Sequence, residues 1–370
     1  MRVLLAVFRY LPVLGGSTRL AQLLAEGLVA KGHEVTVLSQ SEPGSPDQES
    51  IAGVKVERLR MRNVAGFRVP RGYLHRLRAL DSDVFHLQGN RIWVADYYFP
   101  FARSFSWPQV VSPFGFYHYW MRRGFVRWLY YDQYLPGRLK AFDGYAALTE
   151  GERDQVVRWG YPAGRARVIP PGIDLAEFAA APPGVEELRE SWKLPTPHVA
   201  VYVGGLYDNK RVDRLVRAVA ETRGKWGLVV IGSDIPGTPY DRAHCETLAR
   251  ELSAPVRFLG PQPRPVVLKA LAGADAYLQG SAFEGYGISL LEAMAAGCPF
   301  VAFDAGAAEE LAATGSGFVV ASEHEMAARL TDVVERREDL RRAALAAVRG
   351  YSAEGMVDRH LELYRAIQAK

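Results

Sequence analysis

The chain has 370 residues, 49% of them apolar, which suffices for two domains of ordinary size with a core each. Its formal charge of +4 conceals a basic first half, 23 Lys and Arg against 14 Asp and Glu over residues 1–172, and an acidic remainder, 22 against 27; nucleic acid fits the charge of the basic half, but no recognised binding motif accompanies it, and a phosphorylated lipid or an anionic membrane face fits equally well, so no nucleic acid is expected as a partner. Cys245 and Cys298 stand in apolar or helical patterns without metal-ligand spacing, which argues against a disulfide framework and favours a reducing cytosol.

Met1 to Phe8 is a basic residue and an apolar run, but Arg9 and Tyr10 end it too soon for a signal peptide, and no run approaches the ~20 apolar residues of a membrane span. Any membrane contact is therefore expected to be peripheral. Short β-rich runs alternate with longer helical ones twice over, the pattern of parallel sheets wound with helices on both faces. In the first half the strands are expected at Val3 to Phe8, Glu34 to Ser39, Val54 to Leu59, Val84 to Leu87, Val110 to Ser112 and Gly144 to Leu148. Gly15 and Gly16 follow the first strand and precede a helix expected from Thr18 to Lys31, where they can bring backbone N–H groups against a diphosphate or an acceptor. This is not a dinucleotide fingerprint, because no Gly-x-Gly-x-x-Gly occurs and no acidic residue ends the second strand.

Asp81-Ser82-Asp83 has the spacing of a metal-binding pair of carboxylates, but a helix exit and strand entry explain both residues, and no metal is expected. His86 ends the strand after it, as a ligand-side or a structural histidine. Between Tyr117 and Tyr131 aromatics interleave with Arg122, Arg123 and Arg127 beside Trp128. The stretch reads either as a core helix with solvated arginines or, the reading favoured here, as a surface for an acceptor or an anionic membrane. Thr149 and Glu152 form a capping box opening a helix. The pattern breaks at Pro170-Pro171-Gly172, and Ala179 to Gly184 suits a linker. Strands resume at Val199 to Val203, Leu228 to Ile231, Val256 to Leu259, Ala276 to Leu278 and Pro299 to Phe303.

The run from Phe283 to Met294 carries the most chemistry. Gly285 and Gly287 permit a tight turn around Tyr286, and the apolar run from Ile288 to Ala296 reads as a buried helix whose amino end, at Ile288 and Ser289, is an anion site. Glu284 stays in the loop, and Glu292 falls about one turn, roughly 6 Å, inside the helix. Two hydroxyl-binding carboxylates thus flank a phosphate-binding helix end, the layout of a nucleotide sugar.

The segment from Glu284 to Ala302 resembles the signature of retaining glycosyltransferases of family 4, and the resemblance extends over almost the whole chain. It implies a GT-B fold: two Rossmann-like, doubly wound α/β domains facing across a cleft, residues 1–175 on the acceptor side and 185–350 on the donor side, with a last helix, 353–370, returning to the first. It implies a nucleoside diphosphate sugar as donor substrate, no cofactor or metal, and a glycan or lipid-linked acceptor. Glu284 would take sugar hydroxyls, Glu292 the ribose, and Lys210, which matches a family lysine, the diphosphate, with Gly15, Gly16, Gly204, Gly205, Arg211 and Gly285 to Ser289 around the donor. Two departures stand out. The family's arginine is here Gly205, so Arg211 or an N-terminal residue such as Arg19 supplies the charge, or turnover is weaker; the family's histidine before Gly115 is here Phe114, leaving His118 as the catalytic candidate. A nucleotide-binding partner subunit of low activity, an epimerase and a phosphorylase are the rival readings. The missing fingerprint disfavours a nicotinamide dehydrogenase.

Overall fold

The computed structural model describes residues 1–13, 15–64, 67–89, 93–115, 128–179 and 182–369. The chain folds as two units, Met1–Gly172 with Ala353–Lys370, and Ile173–Ser352. The first unit is built on β1 (Arg2–Ala6), β2 (Glu34–Gln40), β3 (Gln48–Ile51), β4 (Val54–Leu59), β7 (Val84–Gln88), β8 (Gln109–Ser112), β9 (Gly144–Ala147) and β10 (Ala166–Val168), in the order β10-β9-β8-β7-β1-β2-β4-β3. All pairs are parallel except the edge pair β3·β4. β5 (Met61–Val64) and β6 (Phe67–Pro70) form a separate antiparallel hairpin. The central strands are apolar on both faces because helices cover both. Val3, Leu4, Leu5 and Ala6 are all buried, and so are Val84, Phe85 and Leu87 beside them.

The second unit has six parallel strands, β11 (His198–Val203), β12 (Trp226–Ile231), β13 (Val256–Gly260), β14 (Ala276–Gln279), β15 (Phe300–Phe303) and β16 (Gly317–Val320), ordered β13-β12-β11-β14-β15-β16. Its core gathers Leu215, Val219, Leu228, Leu278 and Val301 between the sheet and its helices. Between β11 and β14 the strand order reverses, and the carboxyl ends of these two strands are where such a sheet binds ligands.

Every expected strand lies within two residues of its place. The strands that went unanticipated are edge or short ones: β3 is polar and partly exposed, β10 has three residues, and β16 opens on Gly317. The first unit ends at Gly172, before the Ala179 to Gly184 stretch expected as linker. Residues 173–178 belong with the second unit because the Ile173 N–H donates to Tyr351 O (2.9 Å) and Glu177 pairs with Arg264.

Candidate functional site

In the second unit the loops after β11 and β14 are stitched together. The Ala282 N–H donates to Asn209 O (2.8 Å), and the Asn209 amide donates to Phe283 O (3.2 Å). This brings Lys210 and Glu284 into an ion pair, Nζ to Oε1 2.5 Å, with the Ser281 hydroxyl donating to the same oxygen at 2.7 Å. The pair is mostly buried yet open at one side, the side chains being 22% and 11% exposed. The chain then turns through Gly287, whose φ of 96° lies in the left-handed region that favours glycine, and the helix Ile288–Ala295 begins. Its first N–H groups have no acceptor within the helix and carry the positive end of its dipole.

Two buried tyrosines support this loop layer from beneath. Tyr202 donates to Gly205 O (2.9 Å), and the Tyr277 hydroxyl lies 2.7 Å from Ser289 Oγ and 3.3 Å from Val203 O. Burial holds both phenols above their ordinary pKa, so both remain donors. Gln279, 1% exposed at the end of β14, lies against Gly287 with neither amide atom hydrogen-bonded among the described residues.

Glu292 is the fifth residue of its helix, one turn in. Its Oε1 accepts from Arg264 Nη1 at 2.6 Å, and the same guanidinium grips Glu177 Oε2 through Nε (2.9 Å) and Nη2 (2.7 Å). The sequence reading missed Arg264. Its signal was present in Pro263-Arg264-Pro265, a proline-flanked helix start with a cation on the first turn, where the dipole disfavours one.

The Gly205 departure has a physical occupant: a Cβ there would overlap the ring of Tyr207, whose hydroxyl lies 3.2 Å from Ser233 Oγ. Arg211 is held elsewhere. Its guanidinium chelates Asp213 (2.9 Å twice) and stacks over Tyr240 at 4.4 Å, so its position speaks against it as the replacement cation.

In the first unit Gly15 is the N-cap of the helix Gly16–Ala30, in extended backbone, and Gly16 is already helical, so the helix begins two residues before its expected start at Thr18. Arg19 donates to Gln22 (3.1 Å). Arg2 pairs with both Asp81 and Asp83, which accounts for that motif. Among the described residues no cluster of three His, Cys, Asp or Glu is spaced to hold a metal, and no helix is long and apolar enough to cross a membrane. His86 is fully buried, within 2.7 Å of Tyr364 Oη through Nδ1 and of Ser112 Oγ through Nε2. Burial, with His360 adjacent, holds its pKa far below the ordinary value, which favours the neutral imidazole. Phe114 adopts φ 61°, strained for a non-glycine residue. His118, Arg122, Arg123 and Arg127 lie outside the described residues. Trp128 is 46% exposed.

Two family descriptions match the chain, Glycosyltransferase Family 4 over residues 14–177 and Glycosyl transferases group 1 over residues 184–349. The chain belongs to the family 4, group 1 glycosyltransferases. This glycosyltransferase-family chain is 31% identical over 168 residues to a lipopolysaccharide 1,6-galactosyltransferase of Salmonella typhimurium, covering 44% of this chain and 43% of that protein. It is 25% identical over 406 residues to a GDP-mannose-dependent alpha-mannosyltransferase of Mycobacterium tuberculosis, covering 100% and 98%. The matched stretch spans about half the length of the first curated relatives, 43% to 56%. A sucrose-phosphate synthase of Thermosynechococcus elongatus shares its fold, with a TM-score of 0.84 at 20% identity over 100% of this chain and 99% of that one. The architecture is that of a GT-B protein, two parallel-sheet α/β units.

Proposed function

We propose that the protein is a retaining glycosyltransferase that moves a hexosyl group from a nucleoside diphosphate sugar to a hydroxyl of a glycan or lipid-linked acceptor. The observation that carries this reading is the Lys210–Glu284 pair at the amino end of the 288–295 helix, with Glu292 one turn further in. Glu284 takes hydroxyls of the donor sugar and Glu292 those of the ribose. The amides from Tyr286 to Ser289 and the Lys210 ammonium receive the diphosphate, whose charge grows as the glycosidic bond breaks. The family's retention fits a same-face displacement with no protein nucleophile, the departing phosphate oxygen taking the acceptor proton. The donor belongs to the second unit, and the acceptor is assigned to the first.

A lipid-linked acceptor, or peripheral contact with an anionic membrane from the cytosolic side, draws support from a run of exposed large side chains on the first unit: Tyr97, Phe101, Trp128 and Leu129. Tyr207 over Gly205, where a second cation would stand, favours one rival, a nucleotide-binding subunit of low intrinsic turnover.

Thermal stabilisation by UDP, GDP and ADP sugars, each with and without magnesium, tests the reading on wild type and Glu292→Ala. A shift with one nucleotide, independent of magnesium and lost in the variant, is the expected result; no shift with any nucleotide overturns it. Donor conversion without acceptor would mark an epimerase, and dependence on free phosphate a phosphorylase.

A further inference from the structure

Arg264 opens the helix Arg264–Gly273, where a cation faces the positive end of the dipole. Two carboxylates from separate elements hold it there: Glu177, in the turn Leu175–Phe178, takes Nε and Nη2, and Glu292 takes Nη1. The Phe178 ring lies under the guanidinium, 5.5 Å from centroid to Cζ. Burial alone would lower the Arg264 pKa, yet Glu292 and Glu177 raise it, so the group stays a cation. Glu292 is only 13% exposed. A carboxylate so enclosed is stabilised by a hydrogen-bonded partner, and a planar fork fixed at both ends defines its orientation more sharply than a flexible ammonium does.

We propose that Arg264 is a positioning residue of the nucleoside subsite: it fixes the Glu292 carboxylate toward the ribose hydroxyls, with Glu177 anchoring Arg264 from the other side. This rests on the reading of Glu292 as the ribose ligand. Arg264 touches no reacting atom in this scheme and acts through Glu292. Its effect is therefore specific to the sugar of the nucleoside, which a general loosening of the fold is not.

Calorimetric titration of the full chain with UDP and 2′-deoxy-UDP, GDP and 2′-deoxy-GDP, and ADP and 2′-deoxy-ADP reads that specificity. For the base that binds, wild type should prefer the ribose form by about tenfold or more, the worth of one hydrogen bond to a charged acceptor. Arg264→Gln should bring the preference close to one, and Arg264→Lys should leave it between the two. Equal weakening of both members of the pair by Arg264→Gln, with the preference intact, would make Arg264 merely structural and overturn the proposal. Should Arg264→Gln not fold, Arg264→Lys decides alone: a reduced preference supports the fork, and a wild-type preference overturns it. A wild type that binds yet ignores the 2′-hydroxyl sinks the Glu292 assignment and the proposal with it. A wild type that binds none of the nucleotides sinks the donor reading instead.

Discussion

Lys210 and Glu284 are 74 positions apart in the chain and 2.5 Å apart in the fold. Both were legible in the sequence, because each sits in a recognisable loop after an apolar strand. Tyr207 was not, since what matters about it is where its ring lands after folding, and Arg264 showed only as a cation at a proline-flanked helix start, with nothing in the sequence to say which carboxylates its guanidinium meets. In the proposed reaction Lys210 meets charge that develops on the leaving diphosphate, so Lys210→Gln is expected to lower kcat by roughly 10²-fold at saturating donor, in line with loss of one preorganised donor. Steady-state kinetics check it, and an unchanged kcat with a raised KM would move Lys210 to ground-state binding. Gln279 makes the opposite kind of prediction. Its amide is buried with no hydrogen-bond partner among the described residues, a state that costs about 1–3 kcal/mol relative to an apolar group of similar shape. Gln279→Leu should therefore raise the denaturation midpoint; a lower midpoint would mean that the amide is satisfied in solution, by water for instance.

The helix Glu150–Arg158 shows how far an element can be read from sequence and where it stops. The capping box was legible: the Thr149 hydroxyl accepts from the Glu152 N–H at 3.1 Å. What the spacing did not reveal is that Glu152 reaches back into the core, where it accepts from the Leu148 N–H (3.1 Å) and the Tyr145 hydroxyl (2.8 Å). Burial outweighs these bonds and pushes its carboxyl up to about 7 from the usual 4.5. A carboxyl raised in the folded state binds its proton more tightly there than in the unfolded chain. Its contribution to stability is thus full below pH 4.5 and is lost as pH rises through about 7. Against Glu152→Gln, which does not titrate, wild type should lose on the order of 3 kcal/mol of relative stability between pH 4.5 and 8. Urea unfolding of both proteins across that range measures it, and parallel pH profiles would show that the folded carboxyl titrates normally. Strands obey a similar limit. Buried central strands announced themselves as apolar runs, while β3 and β10 at the sheet edge carry no such signal because one side of each faces no partner.

The two units differ in how the chain builds them, and this yields a prediction for the whole molecule. The second unit is one contiguous segment, Ile173–Ser352, whereas the first takes its last helix, Ala353–Gln368, from the far end of the chain. That helix buries Met356, Val357, Leu361, Leu363, Tyr364 and Ile367. Val357 packs so closely on Gly27 of the helix Gly16–Ala30 that a Cβ at Gly27 would lie 2.5 Å from it, and the Tyr364 hydroxyl lies 2.7 Å from buried His86. Six buried apolar side chains at about 1.5–3 kcal/mol each come to roughly 9–18 kcal/mol, comparable with the entire stability of a domain. A chain ending at Ser352 should therefore leave the first unit unfolded. The second unit keeps its core, its sheet and the Lys210, Glu284, Arg264 and Glu292 constellation, and should fold by itself. Calorimetry is expected to resolve loss of one transition with the other retained, and a fragment of residues 173–352 should still bind the nucleotide that stabilises the full chain. A truncated chain that melts as wild type does would show that the returning helix adds little. A fragment that folds but binds no nucleotide would place part of the donor site outside the second unit.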